Sequence, residues 1–262
     1  MKTSRNFIES LARGFDLLST VCVSPSPLSL TELSQEMRLA KSTIQRLTYT
    51  LQSLGLIERD KRTKRFQAGS KMAFLALSVM NNMDLTMAAL PHMQELARKM
   101  GETITLSILL QTEILYIELI RSKHILNVDL FQGSRRPAYC TSSGKVLLAF
   151  LPEPELKIIL NKLKLISHTP HTVTSKRELL RDLKIVRKKG YCLNNEETVL
   201  GLRSVAAPVR NALGEVIAAV NTIVPTSRVS KHELSSGYAA VIVETARKIS
   251  KDLGYRKPPG CS

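Results

Sequence analysis

Lys41, Ser42, Thr43, Gln45, Arg46 and Tyr49 are spaced around apolar Ile44 and Leu47 so that one short helix presents them together on its outer faces. These residue types suit a duplex surface. Gln and Arg form bidentate hydrogen bonds with base edges, while Ser, Thr and Lys hold phosphates. A second basic set, Lys61, Arg62, Lys64 and Arg65, follows between two short apolar runs. Cations on such a ribbon neutralise backbone phosphates or enter a minor groove.

Cys140, Cys192, His168, His171, Glu196 and Glu197 are of types that serve elsewhere as nucleophile, base or metal ligand. His168 and His171 bracket Thr169 and Pro170, yet no third ligand follows at a recognisable interval, so exposed loop histidines account for the pair. No Gly-rich phosphate loop, HExxH or GxSxG occurs. Glu196 and Glu197 are read as fixing a local turn. No catalytic residue, metal ligand or cofactor is assigned.

The elements that must position the polar set are legible from their punctuation. Ser29 with Glu32 is a capping box opening a short helix whose Leu30, Leu33 and Met37 face a core. Arg38, Leu39 and Ala40 connect it to the next helix, where Ile44, Leu47, Leu51 and Leu54 recur on one face before Gly55 stops it. That is a helix-turn-helix pattern, which places the exposed start of its second helix in a major groove. Leu56 to Glu58 and Phe66 to Ala68 read as strands of a wing tipped by Arg59 to Arg65. Upstream, Ile8, Leu11, Ala12, Phe15, Leu18 and Cys22 form a helical stripe ended by Pro25 and Pro27, expected to close a three-helix core.

After the wing, Ser70 to Asn82 is apolar on more than one face and so needs burial on two sides, as a linker helix against a second subunit would supply. Met72, Phe74, Leu75, Leu77, Val79 and Met80 leave it little polar surface, and Asn81 to Asp84 mark a domain boundary. A helix from Leu85 to Met100 follows. Thr103 to Leu110, Ile114 to Ile120 and Ile125 to Phe131 read as antiparallel strands. Val146 to Leu151, Glu155 to Leu163 and Glu178 to Lys188 read as helices, the last opened by a capping box of Ser175 and Glu178. Leu202 to Val209 and Val216 to Val224 flank a hairpin turn, and Ser230 with Glu233 caps a closing helix to about Leu253. The class is α+β, with a central antiparallel sheet behind the DNA-reading unit.

A chain of 262 residues with 44% apolar composition suits two domains. No apolar run approaches eighteen residues, and MKTSRNFIES lacks the apolar core of a signal peptide, so no membrane is expected and the location is expected to be cytoplasmic. Cys22, Cys140, Cys192 and Cys261 show no paired metal spacing and are read as reduced thiols. Net charge is +16, of which residues 1–70 carry +5, so charge density singles out neither half and the local pattern weighs more.

Over nearly its whole length the chain resembles IclR-type bacterial transcriptional regulators. LAKSTIQRLTYTLQSLGLIERD resembles the family's helix-turn-helix; RRPAYCTSSGKVLLAFLPEPE, VRKKGYCLNNEETVLGLRSVAAPV and LGEVIAAVNTIVPTSR resemble its effector-domain signatures. SLARGFDLL with PAYCTSSGKVLLA is similar to the subgroup regulating aromatic-acid catabolism. The resemblance implies a winged helix-turn-helix (1–69), a linker helix and dimerisation region (70–84) and a GAF-like effector-binding domain (85–262). Implied partners are a partly palindromic double-stranded operator, a small organic-acid effector, and further copies of the chain as a dimer or dimer of dimers, mostly in repression.

Carried over position by position, the effector site comprises Thr141, Ser142, Ser143 and Gly144 at a helix start, opposite Asn194, Leu202, Ser204 and Asn221. Unpaired donors and the helix dipole there favour a carboxylate. Asn194 stands where the family can have Asp, Ser204 where Cys is common, and Asn221 and Ile223 where Ser can occur. The wall therefore loses a negative charge, and a dicarboxylate or aromatic acid fits as well as a short keto acid. Two other classes explain parts of the chain: an enzyme with a GAF-like domain, and an architectural DNA binder, which would leave the second domain without a role.

Overall fold

The computed structural model describes residues 7–81, 84–121 and 130–256, and the chain divides into one unit of residues 1–82 and another of residues 83–262. The first unit contains α1 (Glu9–Val23), α2 (Leu30–Met37), α3 (Lys41–Ser53), β1 (Ile57–Arg59), β2 (Phe66–Ala68) and α4 (Ser70–Asn81). Both arms of the capping box at α2 form: the Ser29 hydroxyl accepts from the Glu32 N–H, and Glu32 accepts from the Ser29 N–H at 2.6 Å. Arg38 closes α2 in the left-handed region, φ 53°, which turns the chain sharply into α3.

Leu17, Leu18, Val21, Leu33, Ile44, Leu51, Ile57 and Phe66 form the core of this unit. The helical stripe expected on α1 is corrected by this packing. Leu18 is buried, but Ile8, Leu11 and Phe15 are 62%, 57% and 61% exposed, Cys22 is exposed as well, and Leu17 and Val21 fill the core instead. The helix carries two apolar faces, and periodicity alone does not say which one the neighbours cover. On α4, Phe74 and Leu75 are exposed while Met72 packs against the core. The side chains of Leu77, Val79 and Met80 lie outside the described residues.

The second unit contains α5 (Asp84–Met100), β3 (Thr103–Leu110), β4 (Glu113–Ile120), β5 (Arg135–Pro137), a 3-10 turn (Ala138–Cys140), α6 (Ser142–Ala149), α7 (Glu153–Lys162), α8 (Lys176–Lys189), β6 (Cys192–Asn195), β7 (Leu202–Arg210), β8 (Val216–Pro225), α9 (Lys231–Glu233), a π turn (Leu234–Tyr238) and α10 (Ala239–Asp252). Six strands form an antiparallel sheet in the order β5-β4-β3-β8-β7-β6. Alternation along each strand serves both faces. Ile104, Leu106, Val205, Ala207, Val220 and Val224 pack toward α5 and α10, while Ala206, Ala219 and Ile223 pack toward α6 and α8.

Several expected boundaries shift. α6 starts at Ser142 rather than Val146, and its cap is Thr141, whose hydroxyl accepts from the Gly144 N–H at 3.1 Å. Ser175 precedes α8, but its side chain makes no cap hydrogen bond. The closing helix is interrupted by the π turn, though its Ser230–Glu233 capping box forms. β6 was not anticipated, being four residues with two Asn. Most of the strand expected from Ile125 to Phe131 lies outside the described residues, and Leu130 and Phe131 are not in a strand. Asn82, Met83 and Cys261 also lie outside. Among the described residues no helix is long and apolar enough to cross a membrane.

Candidate functional site

Packing of Ile44, Thr48 and Leu51 into the first core rolls the opposite side of α3 outward. Lys41, Ser42, Gln45, Arg46 and Tyr49 are exposed, and Thr43 is half-buried. No side chain caps the start of α3. The helix thus presents donors of several geometries on one free surface, as base-edge readout requires.

The wing turn is organised by Asp60, whose carboxylate accepts from the N–H groups of Arg62 and Thr63 and from the Thr63 hydroxyl. Those bonds hold the Asp60 carboxyl below its usual range. Lys61, Arg62 and Lys64 are left exposed at the tip. Arg65 is placed differently. Its guanidinium donates to the Pro27 carbonyl at 2.8 Å and to Glu32 at 3.0 Å, tying the wing to the start of α2. Ser29, and beyond it Arg65, hold the Glu32 carboxyl low. Of the five wing cations, Lys61, Arg62 and Lys64 at the tip are free to meet a phosphate, Arg65 is already bound to Pro27 and Glu32, and Arg59 donates to the Lys64 carbonyl and lies over the Phe66 ring.

In the second unit, Thr141, Ser142, Ser143, Asn194, Leu202, Ser204 and Asn221 line one cavity of about 650 Å³. Strand register assembles its floor. Ser204 pairs with Ile223 on β8 and with Asn194 on β6, and Asn221 pairs with Thr105 on β3. The Ser142 and Ser204 hydroxyls are 2.7 Å apart, the Ser142 hydroxyl donates to Asn221 Oδ1 at 3.1 Å, and Asn221 Nδ2 donates to the Thr105 hydroxyl at 3.3 Å. Ser143, only 1% exposed, has a buried Oγ with no hydrogen-bond partner. An orphaned buried hydroxyl in a cavity wall is costly unless something that enters the cavity satisfies it.

Two expected residues play other parts. Gly144 does not line the cavity; it lies where α6 crosses the 3-10 turn. Asn194 lines the cavity, but its Nδ2 already donates to the Cys140 carbonyl at 2.7 Å and to Glu197 at 3.2 Å.

Lys145 and Glu197 form a buried ion pair that sequence reasoning missed. Lys145 Nζ lies 2.7 Å from Glu197 Oε1 and 2.9 Å from Asp182, joining α6 to α8 and to the loop after β6. Burial pulls the Lys145 ammonium down, but Glu197 and its neighbours outweigh it and hold the group charged. Burial pushes the Glu197 carboxyl up, and Asp182 adds to that push because two acids share one cation. A lysine at an otherwise buried stretch of α6 was the available signal. Tyr116, Arg136, Thr198, Val199 and Leu200 also line the cavity, from elements far apart in the chain, and had no local signature.

Burial pushes the Cys140 and Cys192 thiols up to about 12, so both remain protonated near neutrality. His168 and His171 are exposed, His168 stacks on Tyr139, and among the described residues no three His, Cys, Asp or Glu are grouped to hold a metal. Glu197 is the partner of Lys145, and Glu196 accepts from the Gly201 N–H at 2.9 Å.

Residues 10–61 match the family described as "IclR helix-turn-helix domain", and residues 77–251 match "Bacterial transcriptional regulator IclR C-terminal". The chain is 38% identical to the HTH-type transcriptional regulator KdgR of Escherichia coli K12 over 88% of each protein. It is 28% identical to the Pca regulon regulatory protein of Pseudomonas putida, over 95% of this chain and 85% of that one. A crystal structure of an IclR homolog from Microbacterium hydrocarbonoxydans complexed with 4-hydroxybenzoate superposes with a TM-score of 0.77 at 26% identity, covering 93% of this chain and 98% of that one.

Proposed function

This chain belongs to the IclR family and is a ligand-responsive, DNA-binding transcriptional regulator rather than an enzyme; from that premise we propose which residues read the operator, which receive the effector, and what the effector is. Lys41, Ser42, Thr43, Gln45, Arg46 and Tyr49 face the major groove, with Gln45 and Arg46 contacting base edges. Lys61, Arg62 and Lys64 contact flanking phosphates, and Arg65 holds the wing in place rather than contacting DNA. The observation that carries this is the exposed start of α3, left uncapped while its other face fills the core.

Arg46→Ala is expected to weaken specific operator binding by roughly 1 to 3 kcal/mol and to relax preference at one base position. Fluorescence titration of a selected operator and of a scrambled duplex measures both. Equal affinity of wild type and Arg46→Ala for the operator would overturn the reading-helix assignment.

The effector is a small organic acid bound in the 650 Å³ cavity. The N–H groups at the start of α6 and the unpartnered Ser143 hydroxyl supply donors for a carboxylate. Binding shifts operator affinity by a coupling of roughly 1 to 3 kcal/mol, in a repressor of catabolic genes. The Microbacterium relative, whose structure holds 4-hydroxybenzoate, supports an aromatic acid. The higher identity to KdgR than to the Pca regulon protein leaves the aromatic-acid subgroup resting on the cavity, not on overall likeness.

A two-fold dimer forms through α4, because Phe74 and Leu75 are exposed on a helix with little polar surface. Sedimentation is expected to give a dimer or dimer of dimers at micromolar concentration. A monomer with and without operator would contradict it.

A further inference from the structure

We propose that the loop tip Thr198–Leu200, between β6 and β7, selects the effector, and that Val199 and Leu200 close over an apolar ring or branched chain at the end of the ligand remote from its carboxylate. This rests on the reading of the cavity as the effector site. Three observations lead there, and none depends on the chain's relatives.

The first is polarity along the strands. On β8 the same face presents Asn221, then Ile223, then Pro225, and on β7 Ser204 is followed toward the loop by Leu202, which pairs with Pro225. Four residues of strand span roughly 13 Å. The cavity thus runs from a hydrogen-bonding floor to a loop end where Val199, Leu200, Leu202, Ile223 and Pro225 stand beside the hydroxyls of Thr198, Thr226 and Ser227, across a distance longer than a three-carbon acid. Its volume of about 650 Å³ falls among the roughly 300–1,000 Å³ sites that hold ligands of many heavy atoms.

The second is the state of the floor. The Ser142, Ser204 and Asn221 side chains already satisfy one another, and Asn194 is committed to Cys140 and Glu197. Within the floor, the Ser143 hydroxyl is left for one head group, and the remaining hydroxyls of the lining, Thr198, Thr226 and Ser227, belong to the loop end.

The third is the loop itself. Its base is pinned: Glu196 N–H donates to the Leu202 carbonyl, Gly201 N–H to the Glu196 carboxylate, the Thr172 hydroxyl to the Glu197 carbonyl, and Lys145 to the Glu197 carboxylate. Glu196 and Gly201 both have positive φ, 62° and 81°, so the chain turns out and back at those two points. Among the described residues the tip between them is held by one backbone hydrogen bond, Leu202 N–H to the Val199 carbonyl at 3.4 Å. Val199 and Leu200 line the cavity and are nonetheless 50% and 58% exposed. A rigid base therefore holds two aliphatic side chains at the cavity's loop end, where a ligand of matching character would cover them.

The test is isothermal titration of the full chain with benzoate, isovalerate, pyruvate and gluconate, for wild type, a Val199→Ser, Leu200→Ser double variant, and Ser204→Leu, which fills the floor. We expect wild type to bind benzoate or isovalerate more tightly than pyruvate or gluconate. The double variant should lose at least tenfold in affinity for the ring or branched acid and less than threefold for pyruvate; retained pyruvate binding also shows that it folds. The proposal is overturned if the double variant binds the apolar acids as wild type does, if both classes weaken equally, or if pyruvate or gluconate is the tighter ligand or neither apolar acid binds. An unchanged benzoate affinity in Ser204→Leu would instead place the acid outside this cavity and remove the underlying reading as well.

Discussion

Lys145→Ala is expected to destabilise the second unit by about 3 to 5 kcal/mol, the range found when one partner of a buried ion pair is removed. That is a large share of the roughly 5 to 15 kcal/mol by which domains are stable. The Lys145 side chain is 3% exposed and lies against two carboxylates, Glu197 at 2.7 Å and Asp182 at 2.9 Å. Without the ammonium, Glu197 is left as a carboxylate that burial already disfavours, and the loop it anchors loses its strongest tether. Urea unfolding followed by circular dichroism measures the loss. Glu197→Gln in the Lys145→Met background should recover much of it, since that pair removes both buried charges together. A Lys145→Ala protein as stable as wild type would show that the pair contributes nothing to folding.

The pH dependence has a definite sign. The Lys145 pKa is raised in the folded state, so its contribution is fully present below the unfolded lysine value of about 10.4 and fades as pH rises through the higher folded value. The stability gap between wild type and Lys145→Met should accordingly narrow above about pH 10.

Gly144→Ala carries the second large effect. A Cβ at Gly144 would overlap the Ala138 carbonyl and Cα, which are backbone atoms of the 3-10 turn and cannot swing aside. Overpacking of this kind costs typically 1 to 3 kcal/mol, occasionally more, and a backbone obstacle places it at the upper end. In a unit of this size about 3 kcal/mol corresponds to a fall of roughly 6 to 12 °C in thermal midpoint. Gly237→Ala, where nothing lies within 4 Å of the added carbon, should change stability by less than about 1 kcal/mol. Equal midpoints for the two variants would mean that α6 moves off the turn at no cost. Because α6 carries Ser142 and Ser143 into the cavity wall, a displaced α6 should also weaken any acid that binds there.

The sequence by itself determined the elements whose signals are local. The Ser29–Glu32 capping box, the three-residue connection and the period of Ile44 and Leu51 specify α2 and α3, because caps and helical periodicity act over a few residues. The wing strands, β3, β4, β7 and β8 were legible for the same reason. The TSSG start of α6 could be placed on a helix end, though its first turn began earlier than the apolar pattern suggested. The outward stripe of Ile8, Leu11 and Phe15 marks the limit of such reasoning, since α1 has two apolar faces and only its neighbours choose between them.

Tertiary structure alone decided how the polar side chains are used. The wing cations look alike along the chain, but Arg65 meets Glu32, a residue thirty-three positions away, while those at the tip remain free. Lys145 looks like a surface lysine until α8 and the loop after β6 bring Asp182 and Glu197 to it. The cavity's size, its orphaned Ser143 hydroxyl and the aliphatic Val199 and Leu200 at its mouth arise where β4, β5, β7, β8 and a loop converge. Burial and hydrogen-bond satisfaction are properties of all the atoms surrounding a group, and most of those atoms come from residues distant in sequence.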